Sequence, residues 1–194
     1  MTGELRDRLR QATGPAHAQL EGKLKLLHEP LVRERFVWLL GRFHAFHEAW
    51  EPAMAAALPT HLVQWRLKLP LLERDLQYLG VDAGQLATLP ACPRASSLGA
   101  DEAQAAGALY VMEGSTLGGR IITRSLEQAS WYPPSGLKYW DPYGGEVGRH
   151  WQQTLAYLES LPVAWSGDII ASAIATFELL QSWLLPQDIP DGNS

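Results

Sequence analysis

The stretch from Tyr110 to Arg124 has the periodicity of a helix but carries three glycines in its interior, Gly114, Gly118 and Gly119. A glycine inside a helix is about 1 kcal/mol less favourable than an alanine, so three glycines within six residues need a structural reason. This segment alone leaves two reasons open. Either two backbones cross closely here, or the helix bends and its backbone approaches a large flat ligand.

Helical periodicity recurs along the rest of the chain and strict alternation is rare, which predicts an all-α fold. At 194 residues the chain has the length of one domain, which we assign to residues 1–185. Turn residues fill 81–99 and 135–148, and a polar tail from Pro186 is predicted to be disordered. We expect helices over about Gly3–Gln11, from Gly14 and Pro15 onward, from Pro30 to Ala57, from Pro59 to Gly80, from Asp101 to Ala129, over Glu146–Leu161 and over Gly167–Leu185.

Composition excludes several classes of protein. The net charge is -5 and no basic run occurs, which argues against a nucleic-acid-binding surface. The N-terminus is charged, and no uninterrupted run of about 18 apolar residues occurs, so we expect no secretion, no membrane insertion and a cytoplasmic location. The single cysteine, Cys92, has no intramolecular disulfide partner.

A second motif lies about a hundred residues upstream of the glycines, where Leu9–Glu21 reads LRQATGPAHAQLE. Together the two motifs resemble the haem oxygenase family, and more closely its bacterial branch, which includes enzymes that supply bilin to bacteriophytochromes. A third familial stretch, Asp141–Trp151, follows in the same order. The matching positions are Leu9, Arg10, Thr13, His17 and Glu21, then Glu113, Gly114, Ser115, Leu117, Gly118 and Gly119.

The resemblance implies a helical bundle that holds haem b between a proximal helix and a kinked, glycine-rich distal helix. Haem is both cofactor and substrate in this family. It is opened to biliverdin with release of CO and Fe²⁺, using O2 and external electrons. We therefore expect an electron donor such as a ferredoxin or a flavoprotein reductase, and a phytochrome as a receiver of biliverdin. The expected isomer is biliverdin IXα.

On the proximal side, the resemblance makes His17 the axial ligand of the haem iron. Glu21, one turn later, either fixes the tautomer of the imidazole or is an ordinary exposed glutamate. Arg10 stands seven residues before His17, where the family keeps a basic residue for a haem propionate. Tyr110 and Arg124 flank the distal glycines in similar supporting positions.

On the distal side, the resemblance assigns catalytic roles to Gly114 and Gly118, which let the helix backbone lie against bound oxygen, and a haem contact to Gly119. Ser115 and Thr116 either hold ordered water there or bond back to their own helix.

Two departures from the animal members stand out. The distal helix has no counterpart of their aspartate, and no lysine or arginine follows Arg149, where animal members present cations to the propionates. Arg120, Lys138 and Arg149 are the substitutes that we consider.

Other interpretations remain open at this point. One is a metal site made by His44, His47, Glu48 and Glu51, although the chain contains none of the Glu-x-x-His pairs that helical di-iron sites use. His28, His61 and His150 are expected at the surface or at helix junctions.

Two further functions are open: a haem-binding protein that stores or senses haem without degrading it, and a helical bundle that binds a partner or a thiamine-type ligand.

Overall fold

The computed structural model describes residues 4–24, 32–134 and 136–185, and in these ranges it is helical without any strand. The predicted all-α fold is confirmed. The predicted helix start at Pro30, the tail from Pro186 and His28 lie outside the described residues. The helices are α1 (Glu4–Leu24), α2 (Arg33–Ala57), α3 (Thr60–Val63), α4 (Leu69–Tyr78), α5 (Ala83–Ala87), α6 (Glu102–Leu126), α7 (Val147–Ser160) and α8 (Ser166–Leu184), with 3-10 turns at Pro93–Gly99, Gly144–Glu146 and Val163–Trp165.

Helix α8 lies at the centre, with α6 and α1 packed against it, and α2 packs on α4 and on the turn that ends at Gly99. By length and composition alone, the segment Val163–Leu184 is apolar enough to cross a membrane. Its buried residues include Ile169, Ala173 and Leu180, which belong to the core. Packing in the core therefore accounts for the apolar character of this helix.

Helix α1 continues through Pro15, so the predicted break after Gln11 is wrong. Proline removes one hydrogen bond from a helix interior and disfavours its continuation. Here α1 packs along α8 and buries residues on both sides of the proline, among them Leu9 and Leu20. Tertiary packing therefore overrides the local preference, and His17 lies well inside a helix of 21 residues rather than near its start.

The helix predicted from Pro59 to Gly80 is two helices, α3 and α4, joined by a turn over residues 64–68. Pro70 is in the first turn of α4, which is where proline is best tolerated. The break leaves the backbone N–H groups of Lys68 and Leu69 outside any helical ladder, and both donate to the carboxylate of Glu51. The turn thereby carries Arg66 and Lys68 into the core beneath α6.

Helix α6 begins as predicted, because the side chain of Asp101 accepts a hydrogen bond from the backbone N–H of Gln104 at 2.8 Å. It is helical without interruption through all three motif glycines. It packs tightly on α8 at a fourth glycine, Gly107, where a Cβ would lie 2.3 Å from the carbonyl oxygen of Ile169. The close crossing of two helices thus depends on Gly107 and not on the motif.

Candidate functional site

His17 projects from the middle of α1 beside α8, with 52% of its side chain exposed. Its Nε2 is 3.2 Å from Oε1 of Glu21, one turn later on the same helix. The imidazole ring also lies 5.6 Å from the ring of Phe177, centroid to centroid. The structure thus brings Glu21 directly to His17. Because Nε2 engages Glu21 in this arrangement, Nδ1 is the ring nitrogen that remains for a metal.

A contact between Tyr110 and Thr13 links α6 to α1, because the Tyr110 hydroxyl lies close to the Thr13 side chain. Burial raises the pKa of Tyr110, and the positive charges of Arg6 and Arg10 act on the same phenol in the opposite direction. Two arginines of α1 therefore lie near this contact. Arg10 was expected from the sequence, whereas Arg6, one turn earlier, was not.

His17 lies one helical turn beyond Thr13, and Gly114 lies one turn beyond Tyr110. One turn is about 6 Å along a helix axis, so both residues are close to the same contact between α1 and α6. We call the region between these two helices around that contact the cleft. Helix α7 packs on both α6 and α1.

The three motif glycines face three different surroundings. A Cβ added to Gly114 would be 3.6 Å from the indole of Trp151, an ordinary contact distance. One added to Gly119 would be 1.6 Å from the carbonyl oxygen of Trp140, which is impossible without movement. One added to Gly118 would meet nothing within 4 Å. Gly118 is therefore the glycine that leaves open space beside α6.

Leu117 and Ile121 lie next to this open space and are unusually exposed, at 45% and 59%. An exposed apolar face beside a bare stretch of backbone suits a flat apolar ligand. Histidine on the facing helix adds a metal ligand, and Arg6 and Arg10 add positive charge at one end. The cleft thus has the chemistry to hold a planar, apolar, anionic molecule with a metal at its centre.

The two hydroxyl residues of the motif bond to their own helix. Ser115 donates to the carbonyl of Met112 at 2.8 Å, and Thr116 donates to the carbonyl of Glu113 at 2.7 Å. Each hydroxyl oxygen keeps lone pairs that accept further hydrogen bonds. Back-bonding to the helix therefore leaves both residues able to hold a water molecule.

A buried ionic cluster lies directly under the motif, and sequence reasoning missed it. The Glu113 carboxylate is 2.9 Å from Nζ of Lys68 and 3.3 Å from Nε of Arg66, and all three side chains are almost fully buried. The hydroxyl of Tyr143 donates to Glu113 and accepts from Lys68. Burial lowers the pKa of Lys68 and raises that of Tyr143. The partners are 45 and 30 residues from Glu113 in sequence, so no local pattern reveals them.

A second buried unit, also missed, joins α2 to the loop after α6. Nδ1 of His47 is 2.9 Å from Oε1 of Glu51, and its Nε2 is 3.2 Å from the hydroxyl of Tyr139. Burial lowers the pKa of His47, so its imidazole is neutral near pH 7 and its Nδ1 carries the proton given to Glu51. Nε2 then accepts from Tyr139, whose pKa burial raises.

A cavity of about 10 Å³ lies where the two buried units meet the motif. His47, Lys68, Tyr139, Ser115 and Thr116 line it together with Met112 and Trp140. That volume corresponds to about one water molecule. The cavity therefore places the distal helix beside a set of buried polar groups.

The remaining sequence candidates for anion contacts lie apart from this arrangement. Arg124 is exposed and stands fourteen residues after Tyr110 on α6, about 21 Å along the helix axis. The two residues therefore mark different ends of the cleft. Arg120 is 4.0 Å from Asp141, Arg149 is 3.4 Å from Glu146, and Lys138 is exposed.

The metal site considered at His44 and His47 is not supported. Glu48 is exposed, while His47 and Glu51 are committed to buried hydrogen bonds. Among the residues that the structure describes, no group of three or more metal-ligating side chains comes together.

Comparison with known proteins identifies one family, by its sequence profile and by a relative. The sequence profile of the family described as Heme oxygenase matches residues 3–185. The heme oxygenase of Xanthomonas campestris pv. campestris is 33% identical over 164 residues, which cover 81% of this chain and 93% of that protein.

Solved structures show the same fold. The heme oxygenase of Leptospira interrogans has a TM-score of 0.79 at 20% identity, covering 95% of this chain and 98% of that one. The crystal structure of heme oxygenase-1 from the cyanobacterium Synechocystis in complex with heme has a TM-score of 0.78 at 18% identity, covering 93% and 90%.

Proposed function

The chain belongs to the haem oxygenase family of haem-degrading enzymes, and on that premise we propose that it opens haem to biliverdin with release of CO and Fe²⁺. The reaction uses O2 and externally supplied electrons. The proposal is supported by the family match together with two local features, an exposed His17 on α1 and a face of α6 left open at Gly118.

The residues of the cleft fit haem b. His17 would hold the iron, the exposed Leu117 and Ile121 would cover the apolar porphyrin, and Gly118 would let the backbone of α6 approach its face. Arg6 and Arg10, with the hydroxyl of Tyr110, receive propionates at one end. Haem b supplies the iron centre for oxygen activation and is itself the molecule that is opened.

On the proximal side, Glu21 orients the His17 ring by accepting a hydrogen bond from one of its nitrogens. A histidine ligand gives less electron push than the thiolate of cytochromes P450, and that push favours cleavage of the O–O bond. When haem is bound, a His17 imidazole would therefore supply a weaker push than a thiolate.

On the distal side, a water in the small cavity takes the place of a side-chain acid. Its partners are the lone pairs of Ser115 and Thr116 and the hydroxyl of Tyr139. When His47 is neutral, Tyr139 donates to it and presents only an acceptor to the cavity. A proton taken up by Nε2 of His47 reverses that bond, so that Tyr139 then donates toward the cavity.

We expect the product to be the IXα isomer, with Arg10 as the anchor that sets it. Ferredoxin or a flavoprotein reductase as electron donor, transfer of biliverdin to a phytochrome and a cytoplasmic location complete the proposal. These three points follow from the family resemblance and not from the cleft.

The test is a hemin titration followed by a single turnover with ascorbate and O2. We expect a Soret band at one hemin per chain, then its loss with the absorption of biliverdin, released CO and chelatable Fe²⁺. A Soret band without ring opening would instead identify a haem-storing or haem-sensing protein. No Soret band at all would favour a partner-binding or thiamine-type function.

The matched variant is His17→Ala. It keeps the apolar cleft and should still bind hemin, but it should lose the spectrum of a histidine-ligated haem and most of its turnover. An unchanged spectrum in His17→Ala, with loss in His44→Ala instead, would contradict the assignment of the iron ligand.

A further inference from the structure

Trp151, on the first half of α7, fills the space left by the absent side chain of Gly114. Cη2 and Cζ3 of its indole lie 3.6 and 3.7 Å from the position of a Cβ on that glycine. The same indole lies 5.4 Å from the ring of Tyr110, tilted by 47°. At Gly118, one turn further along α6, nothing occupies the corresponding space. The indole therefore marks where the open face of α6 ends.

Trp151 also belongs to a wall that reaches α1. Tyr110, which it contacts, lies close to Thr13, one turn before His17. Helix α7 packs on α1 as well as on α6, so the wall is held from both sides. Trp151 itself is only partly buried.

We propose that Trp151 is a specificity-determining residue that stops the edge of the haem at this end of the cleft. The inference rests on the proposed function, because it concerns the way haem is seated there. His17 fixes the iron but leaves haem free to turn in its own plane about the bond to the imidazole. A rigid wall at one edge restricts that rotation, and the rotation decides which meso carbon is placed for attack.

The indole suits this role for physical reasons. It is large, has only two side-chain torsions and is held by an aromatic neighbour, so it presents a fixed surface. Truncation at Trp151 leaves a void beside Gly114 into which the edge of a flat ligand can move. The arginines at positions 6 and 10 attract propionates but, as exposed flexible side chains, define the position of haem less sharply.

The experiment compares Trp151→Ala and Trp151→Phe with the wild type and with Trp65→Phe, a control at an exposed tryptophan outside the cleft. The main readout needs no turnover: the pattern of hyperfine-shifted haem methyl protons in the cyanide complex, which reports in-plane seating. The second readout is the ratio of biliverdin isomers.

We expect Trp151→Ala to bind hemin within about tenfold of the wild type, since a single aromatic contact is worth roughly 0.5–1.5 kcal/mol. Its methyl pattern should change or split, and its products should become a mixture of isomers. Trp151→Phe should give an intermediate pattern, and Trp65→Phe the pattern of the wild type.

The proposal is overturned if Trp151→Ala and Trp151→Phe keep both the wild-type methyl pattern and the wild-type isomer. Trp151→Phe decides the question should the alanine variant fail to fold. Failure of the proposed function would be a distinguishable result. If the wild type binds hemin but never opens it, the methyl pattern by itself still tests the role of Trp151.

Discussion

Gly119 on α6 and Trp140 in the following loop touch through their backbones, so closely that a Cβ on Gly119 would lie 1.6 Å from the Trp140 carbonyl oxygen. Two further contacts fix the loop near this point, one to Asp75 and one to His47. Asp75, which is fully buried, accepts the backbone N–H groups of Lys138 and Tyr139 at 2.7 Å each. This loop in turn carries Tyr139 to His47.

The first prediction is that Gly119→Ala strongly destabilises the fold, even though alanine favours helices. Overpacking of a core typically costs 1–3 kcal/mol, and we expect about 3 kcal/mol or more because backbone blocks the new methyl group. Urea denaturation followed by circular dichroism measures it. Gly114→Ala is the matched control, because its methyl group meets Trp151 at 3.6 Å and should leave the stability unchanged or higher.

The second prediction separates folding from haem chemistry at Gly118. Gly118→Ala should raise the free energy of unfolding by up to about 1 kcal/mol, since no atom lies within 4 Å of the new Cβ. The same methyl group, and more so the side chain of Gly118→Leu, projects into the space proposed for haem and should reduce biliverdin formation. Normal turnover in both variants would show that this face of α6 does not lie over haem.

The third prediction concerns the buried ionic cluster. Glu113→Gln should cost about 3–5 kcal/mol of stability, because it leaves the Lys68 and Arg66 cations buried without a carboxylate partner. The double variant Lys68→Met with Glu113→Gln should recover part of that loss. If the single and double variants are equally destabilised in urea denaturation, charge compensation is not what holds the cluster together.

Much of the architecture could be predicted from the sequence, because helix signals are local. Asp101 begins α6 as its capping role predicts, and α7 and α8 end within a residue of the predicted positions. Pro15 misled the prediction because its cost is local while the packing that outweighs it comes from α8. Pro70 carried the missing signal for the break between α3 and α4.

The residues of the candidate site also fall into those that the local sequence reveals and those that it does not. Motif positions such as His17 and Gly118 could be named from the sequence, since their pattern is contiguous. Lys68 could not, because it lies 45 residues from Glu113 and nothing in its local sequence sets it apart from an exposed lysine. Gly119 was assigned to haem, and that contact remains a prediction; the contact described is with Trp140.

The fourth prediction is a pH dependence of stability that comes from His47. The folded protein holds this imidazole neutral, facing Glu51 and Tyr139 with Lys68 and Glu113 nearby, whereas the unfolded chain protonates it near pH 6.5. The unfolded state therefore binds more protons below that pH, and the free energy of unfolding falls as the pH decreases from 6.5 toward the lowered folded pKa. Each unit by which folding lowers the pKa of His47 corresponds to about 1.4 kcal/mol in the free energy of unfolding.

His47→Gln should remove this contribution and flatten the decline between pH 6.5 and 5, whatever its effect at pH 8. His61→Gln, at an exposed position on α3, is the control and should keep the slope of the wild type. Urea denaturation at four or five pH values gives the slopes. Equal slopes in the wild type and His47→Gln would mean that His47 is not held neutral.

The last prediction concerns the arginines at the two ends of the cleft. Arg10 acts on Tyr110 beside the contact with α1, whereas Arg124 is about 21 Å further along α6, so the two arginines cannot serve the same propionate. If propionates lie at the Arg10 end, Arg10→Ala should weaken hemin binding and turn a single IXα product into a mixture. Arg124→Ala should change neither. Chromatography of the products against the four biliverdin isomers is the measurement. The reverse result, with a shifted isomer ratio only in Arg124→Ala, would indicate that the propionates lie at the Arg124 end of the cleft and that haem binds in the reversed orientation.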